Sequence, residues 1–322
     1  MKRGRLLLLV IAAVVMFALL RTPRYFGQAP QNAREASLVV PQGAGLHTVA
    51  RRLAQLELIG NRREFLGVAK LMGAGGNIKA GEYAIPEGMG YVPMLRLLDS
   101  GRVVQHLVTV PEGMPAVLVA DKLKAEPLLA GRIGLPEEGS ILPDSYSFER
   151  GEPRAAVLKR MQGAMAAKLA AAWKARKPAA AVKSPREAII LASIVEKETG
   201  KPSERRMVAG VYSNRLRIGM ALQADPTVIY PITRGRPLGR RILQSELRAD
   251  TGYNTYARPG LPAGPIANPG RESIDAVLNP APTKALYFVA DGSGGHVFAD
   301  TLEQHNANVR KWYAIRRSRG EM

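Results

Sequence analysis

The segment "LASIVEKETG", residues 191–200, sets two glutamates near the end of an apolar run. On a helical wheel Ile190, Leu191, Ile194 and Val195 form one stripe. Glu198 falls inside that stripe, while Glu196 falls on the opposite side with Ala192 and Ser193. The wheel therefore predicts a solvated or ion-paired Glu196 and a Glu198 pressed into an apolar surface. Burial disfavours a charged carboxylate, and the negative end of a helix dipole pushes the same way. A carboxylic acid kept protonated near neutral pH is what a departing glycosidic oxygen needs. The competing reading is a core glutamate bonded to backbone or to an arginine.

Other polar residues follow in the same stretch. Arg215 falls within the stripe formed by Met207, Val208, Val211 and Tyr212, where it can bind an anionic group. Direct pairing with Glu198 would lower that pKa, so Asp225 or a substrate carboxylate is the expected partner. "LQADPTVIY" supplies Gln223 and Asp225, and "YNTYARPGLPAGPIANPG" supplies Tyr253, Asn254 and Tyr256 on a proline-stiffened loop. Aromatic and amide side chains on a stiff loop suit a sugar, and they equally suit a turn with aromatics filling the core below. The histidines lack metal-ligand spacing, and no P-loop or nucleophile-elbow pattern is present. No metal or cofactor is expected.

The elements that must hold these residues have readable ends. "SPRE" is a capping box with Ser184 as N-cap, Pro185 at the first position and Glu187 reaching back. That helix is expected to run to about Thr199, with Gly200 as its cap. Ser203 is expected to cap a second helix that Gly219 ends. Residues 220–281 read as loop-rich, with Asn268-Pro269 capping a short helix. "ALYFVADGSGGHVFAD" reads as a β-hairpin, followed by a basic helix carrying Trp312 and Tyr313. Upstream, residues 38–110 read as strand–helix–helix–strand, and residues 111–178 as helices with loops. "VVPQGAGLHTVARRL" and "VTVPEGMPAVLVADKL" echo each other as strand, proline, glycine turn and helix.

Cysteine is absent, so thiolate chemistry and disulfides are excluded. The net charge of +19 implies a polyanionic neighbour. "MKRGR" followed by the apolar run 6–20 reads as an export signal that leaves the N-terminus in the cytoplasm. A cleaved signal peptide is the alternative, but Pro30 directly after "GQA" is a poor cleavage context. The expected organisation is a cytoplasmic tail 1–5, a transmembrane signal anchor 6–24 and a linker 25–37. A small module 38–110 and a larger domain 111–322 follow. The fold class is α+β, and an export signal argues against a nucleic-acid partner.

Three stretches carry a specific resemblance: "LASIVEKETG…ERRMVAGVYSNRLRIGMALQADPTVIY", "YNTYARPGLPAGPIANPG" and "ALYFVADGSGGHVFADTLEQHNANV". Together they resemble the MltG/YceG-like endolytic murein transglycosylases from about residue 38 to the end. The resemblance implies a LysM-like N-terminal module and a mixed helical and β catalytic lobe. It implies non-hydrolytic cleavage of peptidoglycan between N-acetylmuramic acid and N-acetylglucosamine, leaving 1,6-anhydro ends and terminating strand elongation. In the resembling family the second glutamate of the "EKE" triplet is catalytic, which is Glu198 here. The implied location is the inner membrane with the catalytic domain outside the cytoplasm, and peptidoglycan synthases are plausible partners. A lysozyme-like hydrolase using Asp225 and a non-catalytic wall-binding protein are the alternatives.

Overall fold

The computed structural model describes residues 10–17 and 35–321. Residues 10–17 are helical and exposed. The rest of the expected anchor 6–24 lies outside the described residues. Among the described residues no helix is long and apolar enough to cross a membrane. The architecture is α+β, with strands in three two-stranded sheets among the described residues. The chain divides into two compact units, Met1–His106 with Ser147–Glu152, and Leu107–Tyr146 with Pro153–Met322.

In the first unit β1 (Ala36–Val40) pairs antiparallel with β2 (Gly81–Ile85), so that Leu38 faces Tyr83 in register. Between them run α1 (Leu46–Gln55) and α2 (Arg62–Met72), and α3 (Tyr91–Ser100) follows. Alternation on the strands and helical spacing on α1–α3 converge on one core of Leu38, Leu53, Phe65, Tyr83 and Leu95. Asn61 caps α2 by accepting from the Arg63 and Glu64 amides, and Gly73 ends it in the left-handed conformation. Glu82 accepts from Ser37, from Arg150 Nε at 2.7 Å and bonds His106 at 3.1 Å. The Ser37 and Arg150 hydrogen bonds hold its pKa down at about 2.

β3 (Gln105–Val110) and β4 (Asp144–Glu149) form the second sheet. β4 corrects the reading of 111–178 as helices and loops, because its short polar alternation, "DSYSFE", carries a weak strand signal. The sequence echo is reproduced in outline: β1 leads through Pro41 to α1, and β3 leads through Pro111 to α4 (Ala116–Ala125).

The second unit is built around α6 (Pro185–Glu198), where every residue from Ala188 to Val195 is buried. It packs against α5 (Arg154–Lys174), α7 (Arg205–Arg217), α8 (Asp225–Thr233) and α10 (Arg271–Leu278). Ser184 Oγ accepts from the Glu187 amide as the capping box predicts, but Glu187 reaches Lys183 N instead of the cap's own amide. Thr199, extended, ends the helix in place of Gly200. Ser203 lies inside a 3₁₀ turn, Pro202–Glu204, and does not cap α7. On α7, Gly210 lets the Ala281 carbonyl approach; a Cβ there would lie 2.8 Å from that oxygen.

The segment read as loop-rich contains α8, the short α9 (Gln244–Arg248) and α10. Pro226 is tolerated in the first turn of α8, where its missing N–H has no intrahelical partner to lose. Asn268 is not a helix cap. Fully buried, it accepts from Ile141 N at 3.0 Å and donates to Met114 O at 2.8 Å, pinning the proline loop to the core. The hairpin β5 (Tyr287–Ala290) and β6 (His296–Ala299) is antiparallel as expected, and α11 (Leu302–Ser318) packs on it. Asn268→Ala strands the buried Ile141 amide and leaves Met114 O with only the longer bond from the residue 268 amide at 3.4 Å. Unfolding in urea is expected to show a loss of about 3 kcal/mol with an unchanged slope.

Candidate active site

Glu198 is the last residue of α6, and it lines a cavity of 670 Å3 within the second unit. Three neighbouring elements bring the other groups in. From α7, Tyr212 lines the cavity beside Glu198 and its hydroxyl lowers the Glu198 pKa, and Arg215 lies one turn further along. Asp225 opens α8. Gln223 precedes it with φ at +51°, a left-handed conformation that costs a non-glycine residue free energy. Tyr256 comes from the proline-stiffened loop, and its hydroxyl donates to Asp225 Oδ1 at 2.6 Å.

Desolvation is the main cause that pushes the Glu198 pKa up from 4.5 to about 7. The Tyr212 hydrogen bond opposes it, the Asp225 charge reinforces it, and the Arg215 charge opposes it. Burial raises the pKa of both Tyr212 and Tyr256, so both hydroxyls keep their protons at neutral pH and act as donors.

Arg215 has a different partner from the one expected. Its guanidinium donates to the backbone carbonyls of Leu286 at 2.7 Å, Leu222 at 2.6 Å and Ala221 at 3.4 Å, and lies 5.5 Å from the Tyr287 ring centroid. Neither Asp225 nor Glu198 forms an ion pair with it within 4 Å, so Arg215 ties the α7–α8 connection to the hairpin. Its charge still acts on Glu198 from nearby.

Glu196 stands apart from the cavity. Ala188–Val195 of α6 are all buried, and the Glu196 side chain, 6% exposed, is not solvated. Glu196 Oε2 accepts from Gly270 N at 2.9 Å, and Oε1 lies 3.7 Å from Arg205. Arg205 also pairs with Glu112 at 3.0 Å and with Glu272. Of the wheel's two alternatives for Glu196, the ion pair is the one formed.

Glu198, Arg215, Gln223, Asp225 and Tyr256 therefore line one cavity. Tyr253 and Asn254 do not. Tyr253 packs on Tyr230 with centroids 5.1 Å apart and faces a separate 500 Å3 cavity beside Glu138. Asn254 is buried under the loop, donating to the carbonyls of Glu246, Leu247 and Ala249 and accepting from Tyr256 N at 2.9 Å. Its amide is spent on backbone, so its contribution is to hold Tyr256 in place. The sequence reading missed Tyr212, Tyr287 and Phe288 as lining residues. Tyr212 had a signal: it is a phenol in the same helical stripe as Arg215. Among the described residues no group of three or more His, Asp or Glu side chains is placed to hold a metal ion.

The arrangement offers one acid poised to give or take a proton near neutrality and a second carboxylate held by a tyrosine. Its burial also has a stability signature. The raised pKa means that the folded state binds the extra proton between pH 4.5 and about 7, and that above pH 7 folding must bury an anion. Wild-type stability thus falls as pH rises through this window. Glu198→Gln is expected to be more stable than wild type at pH 8, by on the order of 3 kcal/mol, with the difference vanishing below pH 4.5. Urea unfolding of both proteins across pH 4–8 checks this.

Comparison with known proteins finds relatives for the chain as a whole. A Bacillus subtilis protein named endolytic murein transglycosylase is 28% identical over 305 residues, covering 85% of this chain and 83% of its own length. A Streptococcus pneumoniae protein of the same name is 27% identical and covers 93% of this chain, but the match spans only 64% of that longer protein. The crystal structure of a yceG-like protein from Listeria monocytogenes superposes with a TM-score of 0.52 at 27% identity, covering 86% of this chain and 99% of that one. The profile of the YceG-like family matches residues 38–311, and this chain belongs to that family.

Proposed function

We propose that this protein is an endolytic murein transglycosylase with Glu198 as its single acid/base. The observation that carries the reading is a carboxyl in a large cavity with a pKa raised to about 7. It stands at the position where the family resemblance places the catalytic glutamate. Protonated Glu198 gives its proton to the glycosidic oxygen as the bond from the muramyl anomeric carbon breaks. The resulting carboxylate then takes the proton from the muramyl 6-hydroxyl, whose oxygen closes onto the same carbon. The products are an N-acetylglucosamine end and a 1,6-anhydro-muramyl end, and no water is consumed. An intramolecular nucleophile acts at high effective molarity, so no second carboxylate is required.

Asp225 lines the same cavity and is the group that a hydrolase would use to direct water. Its bond to the Tyr256 hydroxyl engages Oδ1, which favours an orienting role for Asp225 over a base. Gln223 and Tyr256 are assigned to substrate contacts.

The wider assignment follows the same reading. The first unit, with its β1–α1–α2–β2 core, serves as a LysM-like glycan-holding module ahead of the catalytic domain. The basic N-terminus and the apolar run 6–20 anchor the chain in the inner membrane, with both units outside the cytoplasm. A net charge of +19 suits an anionic bilayer surface and a polymer bearing peptide carboxylates. Acting on nascent strands beside a synthase, the enzyme ends glycan elongation.

The test is mass spectrometry of uncrosslinked glycan strands digested by the full chain in detergent, beside Glu198→Gln and Glu196→Gln. Products ending in 1,6-anhydro-muramic acid are expected. Glu198→Gln should reduce the rate by about 10²–10⁴-fold, while Glu196→Gln still cleaves. Products one water heavier would make the enzyme a hydrolase and move the second role to Asp225.

A further inference from the structure

One wall of the cavity has been given no role so far. Along α11 the residues His305, Asn306, Val309, Trp312, Tyr313 and Arg316 all line it. Their spacing puts them on one helical face over three turns. A face this rich in apolar and aromatic groups normally sits in a core, yet no residue of α11 is buried. Trp312 is half-buried and Tyr313 is 43% exposed. The face points at the same open space as Glu198.

The details fit a flat, neutral, hydroxyl-rich ligand. The Arg316 guanidinium lies 5.9 Å from the centroid of the Trp312 ring, which lines the cavity. Arg316 is itself held by the Glu321 carbonyl at 3.1 Å and the Glu321 carboxylate at 3.4 Å. Arg215, the other cation lining the cavity, is committed to backbone carbonyls. Neither cation is left free to pair with an incoming carboxylate. His305 stacks on Tyr287 with centroids 5.2 Å apart, and its Nδ1 is shut off from solvent without a hydrogen-bond partner. Burial and the nearby Arg215 charge lower its pKa, so the ring is neutral at pH 7.

We propose that α11 is the saccharide platform of the active site. Trp312 and Tyr313 stack on the C–H face of a pyranose of the glycan strand, Asn306 hydrogen-bonds its exocyclic groups, and the peptide stems lie away from this wall. This inference rests on the transglycosylase reading for its choice of glycan. Its test does not need turnover.

The chain has two tryptophans, so Trp173→Phe leaves Trp312 as the sole indole reporter. In the full-length Trp173→Phe, Glu198→Gln protein in detergent, intrinsic fluorescence is titrated with three probes. These are chitohexaose, peptide-bearing uncrosslinked glycan, and free stem tetrapeptide. Both glycans are expected to change the Trp312 emission saturably, and the tetrapeptide to leave it unchanged. In cleavage assays Trp312→Ala is expected to raise KM ~10-fold with kcat within about twofold, and Trp312→Phe to restore most of the loss. Circular dichroism confirms that each variant is folded. A response to the tetrapeptide alone would overturn the proposal, as would glycan cleavage by a protein whose Trp312 stays silent and whose Trp312→Ala keeps its KM. Saturable glycan binding without any cleavage by wild type would sink the transglycosylase reading and leave the platform standing.

Discussion

The site depends on the desolvation of one carboxyl at the end of a helix whose middle turns, Ala188–Val195, are buried on every side. α6 is enclosed from Ala188 to Val195, so its last turn delivers Glu198 into a largely desolvated position beside Tyr212. Desolvation dominates the neighbouring charges and sets a proton affinity near neutrality. Two opposing influences stop the shift from going further: the Tyr212 hydroxyl, which stabilises the anion, and the Arg215 charge, which acts without an ion pair. A direct Arg215–Glu198 pair would remove the acid. Spending the guanidinium on the carbonyls of Leu222 and Leu286 avoids that and also fixes the cavity's two rims to each other.

The surroundings make this burial mechanically possible. Ser193 Oγ accepts from Ile266 N at 3.0 Å, and Glu196 accepts from Gly270 N at 2.9 Å. Both bonds join α6 to the C-terminal part of the proline loop. Asn268 ties that same segment to Ile141 and Met114. The two glutamates therefore divide the labour: Glu196, with Arg205, holds the helix end, and Glu198 faces the cavity. Burying an anion above pH 7 destabilises the fold, and the surrounding bonds offset that cost.

Much of this was legible in the sequence wherever local chemistry decides the outcome. The Ser184–Pro185 start of α6, the inward face of Glu198 and the β5–β6 hairpin all follow from spacing and turn residues. What escaped depends on contacts between distant segments. Asn254 and Asn268 looked like sugar-binding or capping amides, because only the folded chain shows which backbone carbonyls consume them. Arg215 was placed correctly in its stripe, but its carbonyl partners come from a loop and a hairpin the stripe cannot reveal. α8 was hidden by Pro226 and Pro231, although a proline in a first turn is compatible with a helix. The cavity face of α11 became visible only once the hairpin beneath it was in place.

The central claim is that burial, reinforced by the Asp225 charge, makes Glu198 an acid at neutral pH. Carbon-13 NMR titration of the glutamate carboxyls, with the Glu198 signal assigned by difference against Glu198→Gln, measures it directly. The account predicts a midpoint at about 7 for Glu198. A midpoint near the ordinary 4.5 would mean that the group is ionised throughout the working range, and the general-acid role would have to pass to another residue.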